Sequence, residues 1–289
     1  MLSQLLVSAL VMGAAQAMIA ISFALIYSVS GIFHIAHAGV FATGAYVMWW
    51  FLAGLGLPVL PAAAAALVVT SLVGGAIYWL IYRNLIRWNS PHLVIMITSL
   101  GLLAILDNTM ALLFTTNTLF YPLEWGKSVM TLGGIRLTYL QLSVVLISLV
   151  LLLGYTILLN RTSLGRRIRA VSANPLMAEL GRLAPERVYL HVFVIASATV
   201  GLAGMLVAAD VGVRPYSGMQ YFLTAAIAVI AAGVGRIAGA FIVAVAISIL
   251  QNVSLIFIQG HWAIVVTFLV FLLAMLFFPQ GIFNARGRR

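Results

Sequence analysis

The chain has 289 residues, 64% of them hydrophobic and 7% charged, with a formal net charge of +10 and no cysteine. A soluble domain carries roughly a quarter charged residues, so a surface facing water all round is excluded, as are disulfides, thiol catalysis and cysteine metal sites. The basic excess does not mark a nucleic-acid binder, because the arginines lie between long apolar runs and not on an aromatic-studded polar face. In chain order, the first apolar run is Leu5 to Tyr27. No Lys or Arg precedes it, and it continues past Ala15-Gln16-Ala17, whose small residues imitate a cleavage site. It reads as a first span that stays in place, not as a removed signal peptide.

A helix needs roughly 20 residues to cross about 30 Å of hydrocarbon. Nine apolar segments approach that length: 5–28, 32–53, 60–82, 93–115, 139–159, 189–209, 218–235, 237–258 and 262–279. The tight joins at Gly31 and at Gly233-Val234-Gly235 leave room for a broken or re-entrant helix in either pair. The expected fold is an all-α polytopic membrane protein of eight or nine transmembrane helices, forming one domain over 1–289. Placing 83–92, 160–188, Arg236 and the tail 284–289 on one side gathers twelve of the fifteen basic residues there. Lys127, Arg136 and Arg214 remain opposite, so the first side is expected in the cytoplasm, with the C-terminus. Segment 116–138, with Pro122, Glu124 and Gly133-Gly134, becomes the largest external loop.

The span residues able to carry chemistry are few. His34 and His37 stand at i, i+3 and are expected to share a helical face. No carboxylate or cysteine accompanies them, which makes a poor metal site; a hydrogen-bonding pair near a substrate path and a plain interhelical contact both remain open. Asp107 lies midway along its segment beside Asn108, where an ionisable group is a functional candidate by default. It is placed to attract an amino group, or to pair with Arg83, Arg87 or a histidine. Thr98 and Ser99 add hydroxyls, though such groups often bond their own backbone. Asp210 ends its segment and is expected at the interface. Gly39, Gly44, Gly233, Gly235 and Gly239 fall at spacings that let helices approach closely; Gly233 and Gly235 also fit an unwound point lining a cavity.

Residues 160–188 hold six of the fourteen arginines and two of the five acids. Asn174-Pro175 predicts an N-cap with proline at the first helical position, and Ala184-Pro185 turns the chain out of helix. A short helix from 175 to about 183 is expected. Leu176, Leu180 and Leu183, joined by Met177, form its apolar stripe, while Glu179 and Arg182 face elsewhere. Such a helix can lie on a membrane or dock on a partner, and its arginines can also simply fix topology and meet anionic lipid. No Gly-x-x-x-x-Gly-Lys-(Ser/Thr) loop occurs, and Lys127 is the one lysine in the sequence, so no ATP site of that kind is expected. Nor is a nucleophile–base–orienter trio evident; the chain is expected to be no enzyme and to carry no cofactor and no metal.

Gly165, Arg169-Ala170, Asn174, Ala178 and Glu186-Arg187-Val188 resemble the cytoplasmic coupling segment of ABC-transporter permeases of the branched-chain amino-acid type. Other stretches follow the same family in order: "HAGVFATGAYV" (37–47), "SPHLVIMITSLGLLAILDN" (90–108), "RPYSGMQYFLTAAIAVIAAGVGRIAGA" (214–240) and "FPQGIF" (278–283). The chain departs from that pattern at His34, where asparagine is usual, at Arg182, where a helix-ending glycine falls, and at Ala232 and Arg236. The resemblance implies the permease subunit of an importer for branched-chain or related amino acids in a bacterial inner membrane. It implies as partners two cytoplasmic ATP-binding subunits, a second homologous permease subunit, an external substrate-binding protein and the lipid bilayer, with no nucleic acid. The coupling residues would be Gly165, Arg169, Asn174, Leu176, Ala178, Glu179, Leu180, Arg182 and Arg187. His34, His37, Thr98, Asp107, Asn108, Gly233 and Gly235 would line the substrate path. The alternative is an ion- or proton-coupled carrier working without an ATPase, with Asp107 as relay.

Overall fold

The computed structural model describes residues 2–123, 128–132, 135–257 and 262–283. Glu124, Lys127, Gly133-Gly134 and the tail 284–289 lie outside the described residues. Among the described residues twelve α-helices and one hairpin follow in order: α1 (Leu2–Ser30), α2 (His37–Trp49), α3 (Val59–Ile77), α4 (Arg83–Arg87), α5 (His92–Leu113), β1 (Val129–Leu132), β2 (Ile135–Thr138), α6 (Tyr139–Arg161), α7 (Ser163–Ala173), α8 (Pro175–Leu180), α9 (Pro185–Val211), α10 (Gly218–Ala232), α11 (Ile237–Ser254) and α12 (Ala263–Phe277). A π-helical turn, Trp50–Gly54, extends α2, and another, Tyr78–Tyr82, joins α3 to α4 in one rod. Among the described residues six helices are long and apolar enough to cross a membrane: Ser3–Ser30, Val59–Arg87, His92–Leu113, Tyr139–Arg161, Pro185–Val211 and Ile237–Ser254. The protein is an all-α polytopic membrane protein. Helices α10 and α12 are apolar but shorter.

The chain forms two compact units. The first comprises Met1–Ala24, Leu123–Leu152 and Gln220–Arg289. Within it α1 crosses α11 at Gly13, where an added Cβ would lie 3.0 Å from the Val245 Cα, and the Ser248 hydroxyl donates to the Ala9 carbonyl at 2.9 Å. Strands β1 and β2 pair antiparallel, Val129 with Thr138. The Gln4 carboxamide closes the free edge of β2 by bonding both backbone groups of Arg136. This hairpin falls in the stretch expected as a plain loop. Alternating residues on both sides of Gly133-Gly134 are its signal in the sequence.

The second unit comprises Leu25–Pro122 and Leu153–Met219. Its heart is a seam of α2, α3 and α9. Lipid tails are as apolar as leucine, so burial alone does not draw such helices together; close backbone approach and dispersion do. A Cβ on Gly44 would meet the Gly201 carbonyl oxygen at 2.6 Å, and one on Gly204 would meet that of Phe41 at 2.1 Å. Gly44 therefore acts in helix packing. Around the seam Phe193, Tyr46, Tyr78 and Tyr82 are all fully buried.

Candidate functional site

The arginine-rich segment folds as two short helices packed onto the ends of longer ones. Thr162 caps α7 through its hydroxyl, which accepts from the Gly165 amide at 3.0 Å. Gly165 is needed there: a Cβ would stand 2.1 Å from the Leu158 carbonyl oxygen, so α7 could not fold back over the end of α6. Ile168 and Val171 are buried, while Arg166, Arg167 and Arg169 are exposed. Helix α7 is absent from the expectations above, although Leu164, Ile168 and Val171 behind a threonine cap carry a helical period.

Asn174 caps α8 as expected, its side-chain oxygen accepting from the Met177 amide at 3.0 Å. The helix ends at Leu180, three residues short of the expected end. The Arg182 amide donates to the Glu179 carbonyl at 2.9 Å and the Leu183 amide to that of Ala178 at 3.0 Å. These two bonds form a Schellman ending, whose left-handed position favours glycine. Arg182 occupies it with φ +62°, while Gly181 has an ordinary φ of −78°. Within α8 only Ala178 is buried. Leu176, Met177 and Leu180 are 64%, 62% and 71% exposed, and Glu179 is exposed too.

Glu186, at the head of α9, takes both nearby cations. Arg83 Nε donates to one carboxylate oxygen at 2.8 Å, and Arg87 bonds both oxygens at 2.7 and 3.1 Å. These arginines therefore do not pair with Asp107, which was one of its expected partners. The next residue, Arg187, is exposed.

Chain order placed His34 and His37 on one helix; the structure does not. Gly31 turns left-handed at φ +68° and ends α1, residues 31–36 are not helical, and His37 opens α2. The rings still meet, 5.5 Å apart, and both residues are fully buried. Around them runs a polar network. Tyr82 Oη lies 2.8 Å from His34 Nδ1 and donates to Ser99 Oγ at 2.9 Å; Ser99 accepts the Ala36 amide at 3.0 Å. His34 Nε2 is buried with no hydrogen-bond partner among the described residues. The Phe193 ring packs against His34, Tyr78 and Tyr82 at 5.2, 5.2 and 5.4 Å.

Asp107 shares the inward stripe of α5 with Ile95, Ser99, Leu103 and Met110. It is 4% exposed, and its Oδ1 is buried without a hydrogen-bond partner among the described residues. Thr98 and Asn108 lie off that stripe. Thr98 Oγ1 is spent on the Val94 carbonyl, and exposed Asn108 accepts the Tyr216 hydroxyl at 3.1 Å. Gly233 and Gly235 belong to the other unit. They interrupt the chain between α10 and α11 at φ +100° and +85°, which is one of the two readings their spacing left open. The segment 278–283 braces that turn: a Cβ on Gly281 would fall 2.2 Å from the Gly233 Cα, and one on Gly239 would strike Phe283 at 2.8 Å.

A family model described as the permease component of the branched-chain amino acid transport system matches residues 5–276. The chain belongs to this family. It is 28% identical over 294 residues to the high-affinity branched-chain amino acid transport system permease protein BraD of Pseudomonas aeruginosa, covering 96% of this chain and 94% of that protein. It is equally 28% identical to the corresponding permease protein LivH of Escherichia coli K12, over 94% of this chain and 92% of the other. Its fold is shared with a chain of PsaBC from Streptococcus pneumoniae in complex with Fab, at a TM-score of 0.51 and 16% identity, covering 97% of this chain and 94% of that one.

Besides α7 and the hairpin, three features of this permease escaped sequence reasoning. Tyr82 and Glu186 find partners far along the chain, and no local pattern announces such pairs. Arg182 hides a left-handed turn behind a residue type that rarely adopts one.

Proposed function

We propose that the protein is the membrane-spanning subunit of an ATP-driven importer for branched-chain or related amino acids, worked by separate ATPase subunits. The observation that carries this reading is α8. It is capped at both ends, anchored through buried Ala178, and presents Leu176, Met177 and Leu180 outward. An apolar knob of this size on a charged segment fits a groove on a soluble partner better than it fits water. Arg169, Glu179, Arg182 and Arg187 would form the polar rim of that contact, with Gly165 and Asn174 shaping it.

In this reading residues 1–289 form one transmembrane domain, with 160–188 as its cytoplasmic coupling loop. Helices α10 and α12 cross beside the six long ones, and α2 with its π-helical turn makes the ninth span. The meeting of Arg83 and Arg87 with Glu186 supports one sidedness for 83–92 and 160–188. The bonded pair Leu119 and Val213 supports the other for 116–122 and 210–217. The arginine count then favours the cytoplasm for the first group and the C-terminus, in a bacterial inner membrane. A binding protein would load the second side, and a second permease subunit would complete the pore. His34, His37, Thr98, Asp107, Asn108, Gly233 and Gly235 are the residues assigned to the path, with Asp107 facing the amino group of a zwitterion. Hydrolysis of ATP belongs to the partners.

The test is the substitution Leu180→Asp in the assembled transporter. Leu180 is exposed, so folding should survive, while burying a carboxylate in the contact should weaken ATPase co-purification by about thirtyfold. Undiminished co-purification would remove α8 from the interface. The partnerless Asp107 oxygen favours a second reading, a carrier driven by an ion gradient. Gradient-driven uptake into liposomes holding this chain alone, abolished by Asp107→Asn, would establish it.

A further inference from the structure

Two attachments tie the arginine-rich segment to the interrupted stretch 31–36. On one side the Ser172 hydroxyl of α7 donates to the Ser28 carbonyl at 2.6 Å. That carbonyl lies in the last turn of α1, where the helix leaves its acceptors unfilled, and just before left-handed Gly31. On the other side Glu186 joins the head of α9 to Arg83 and Arg87. Arg83 follows Tyr82 directly, at the end of a π-helical turn. Turns of this kind are frequent at functional positions, and here both Tyr78 and Tyr82 stand inward against Phe193.

Helix α9 thus grips the α3–α4 rod twice, by charge at Glu186 and by ring packing at Phe193, two turns further on. From the rod the connection continues through one hydroxyl. Tyr82 Oη is bonded to His34 and Ser99, and Ser99 holds the Ala36 amide at the far end of the non-helical stretch. Every bond in this series spans 3.0 Å or less except the second contact of Arg87. Hydrogen bonds of this length weaken steeply when stretched. A buried group that loses its partner carries the full cost of its desolvation. Movement of the α7–α8 segment is therefore passed to residues 31–36 or breaks the series.

We infer that Tyr82 is a positioning residue for transport, through which the coupling segment sets the geometry of residues 31–36, with Glu186 as the anchored end of the linkage. The inference rests on the reading of that segment as the ATPase dock. Its readout is solute taken up per ATP hydrolysed in liposomes holding the complete transporter: permease subunits, ATPase and binding protein. Tyr82→Phe keeps the ring against Phe193 and removes both hydroxyl bonds. It should lower uptake per ATP about tenfold, within the range typical of coupled sites, while the ATPase still co-purifies. Glu186→Gln should act in the same direction, and Glu186→Asp should recover part of the loss. The double variant Tyr82→Phe/Glu186→Gln should fall no further than the worse single, because both cut one linkage. Losses that multiply in the double variant, or singles with unchanged uptake per ATP, overturn the inference. Where Tyr82→Phe does not fold, Ser99→Ala, which removes the acceptor of the Tyr82 hydroxyl, makes the same comparison with Glu186→Gln. Uptake that ignores ATP in the unmodified transporter overturns the docking reading instead.

Discussion

Two of the chain's interruptions at glycine, 31–36 and 233–236, are held in opposite ways. Residues 32 and 34–36 are buried, and side chains fix the stretch: Ser99 takes the Ala36 amide and Tyr82 reaches His34. At 233–236 only Gly233 is buried, and the turn is shaped by backbone lying on backbone, Gly281 against Gly233. A break away from water must find partners for its free amides, and side chains from neighbouring helices supply them. A break more open to its surroundings can lean on its torsion angles and on a backbone packed against it. The first geometry depends on side-chain hydrogen bonds and the second on a close backbone contact at glycine.

Substitutions separate the two. Gly281→Ala should be the most damaging, since its Cβ would collide with backbone and its φ of +92° is left-handed; a loss of about 3 kcal/mol is expected, read as thermal unfolding in detergent. Ser99→Ala removes the acceptor for the Ala36 amide and should cost about 2 kcal/mol by the same measurement. If Ser99→Ala proves silent, the first break is held by packing alone and the contrast fails. Gly31→Ala and Gly235→Ala should cost least, about 1 kcal/mol each, because nothing stands near either Cβ and only the positive φ is penalised. A larger loss at Gly31 than at Gly235 would mean that torsion matters at the buried break as well.

What could be read from the residues was local. Asn174-Pro175 announced the start of α8, and Gly31 and Gly233-Val234-Gly235 marked where a break was open to expectation, because capping and left-handed torsions depend on a few neighbours. The end of α8 was misjudged by three residues because the left-handed position carries arginine. His34 and His37 were assigned one helical face because the apolar run resumes at residue 32, and chain spacing cannot show that the next helix opens only at His37. The hairpin was missed because its strands sit in a stretch too polar to read as a span. The Glu186 clamp and the Tyr82 network join residues dozens of positions apart, and their pairing is decided by the packing of α3, α5 and α9. Of the residues proposed for the path, Asp107 and the histidines turned inward, whereas Thr98 and Asn108 lie off the stripe that Asp107 shares.

The brace at Gly281 has a bearing on biogenesis. It follows α12 in the chain, so the ribosome delivers α10, the glycine turn and α11 before the residues that steady that turn exist. The joint between those two helices is therefore loose when first made, and it closes only after α12 has been synthesised.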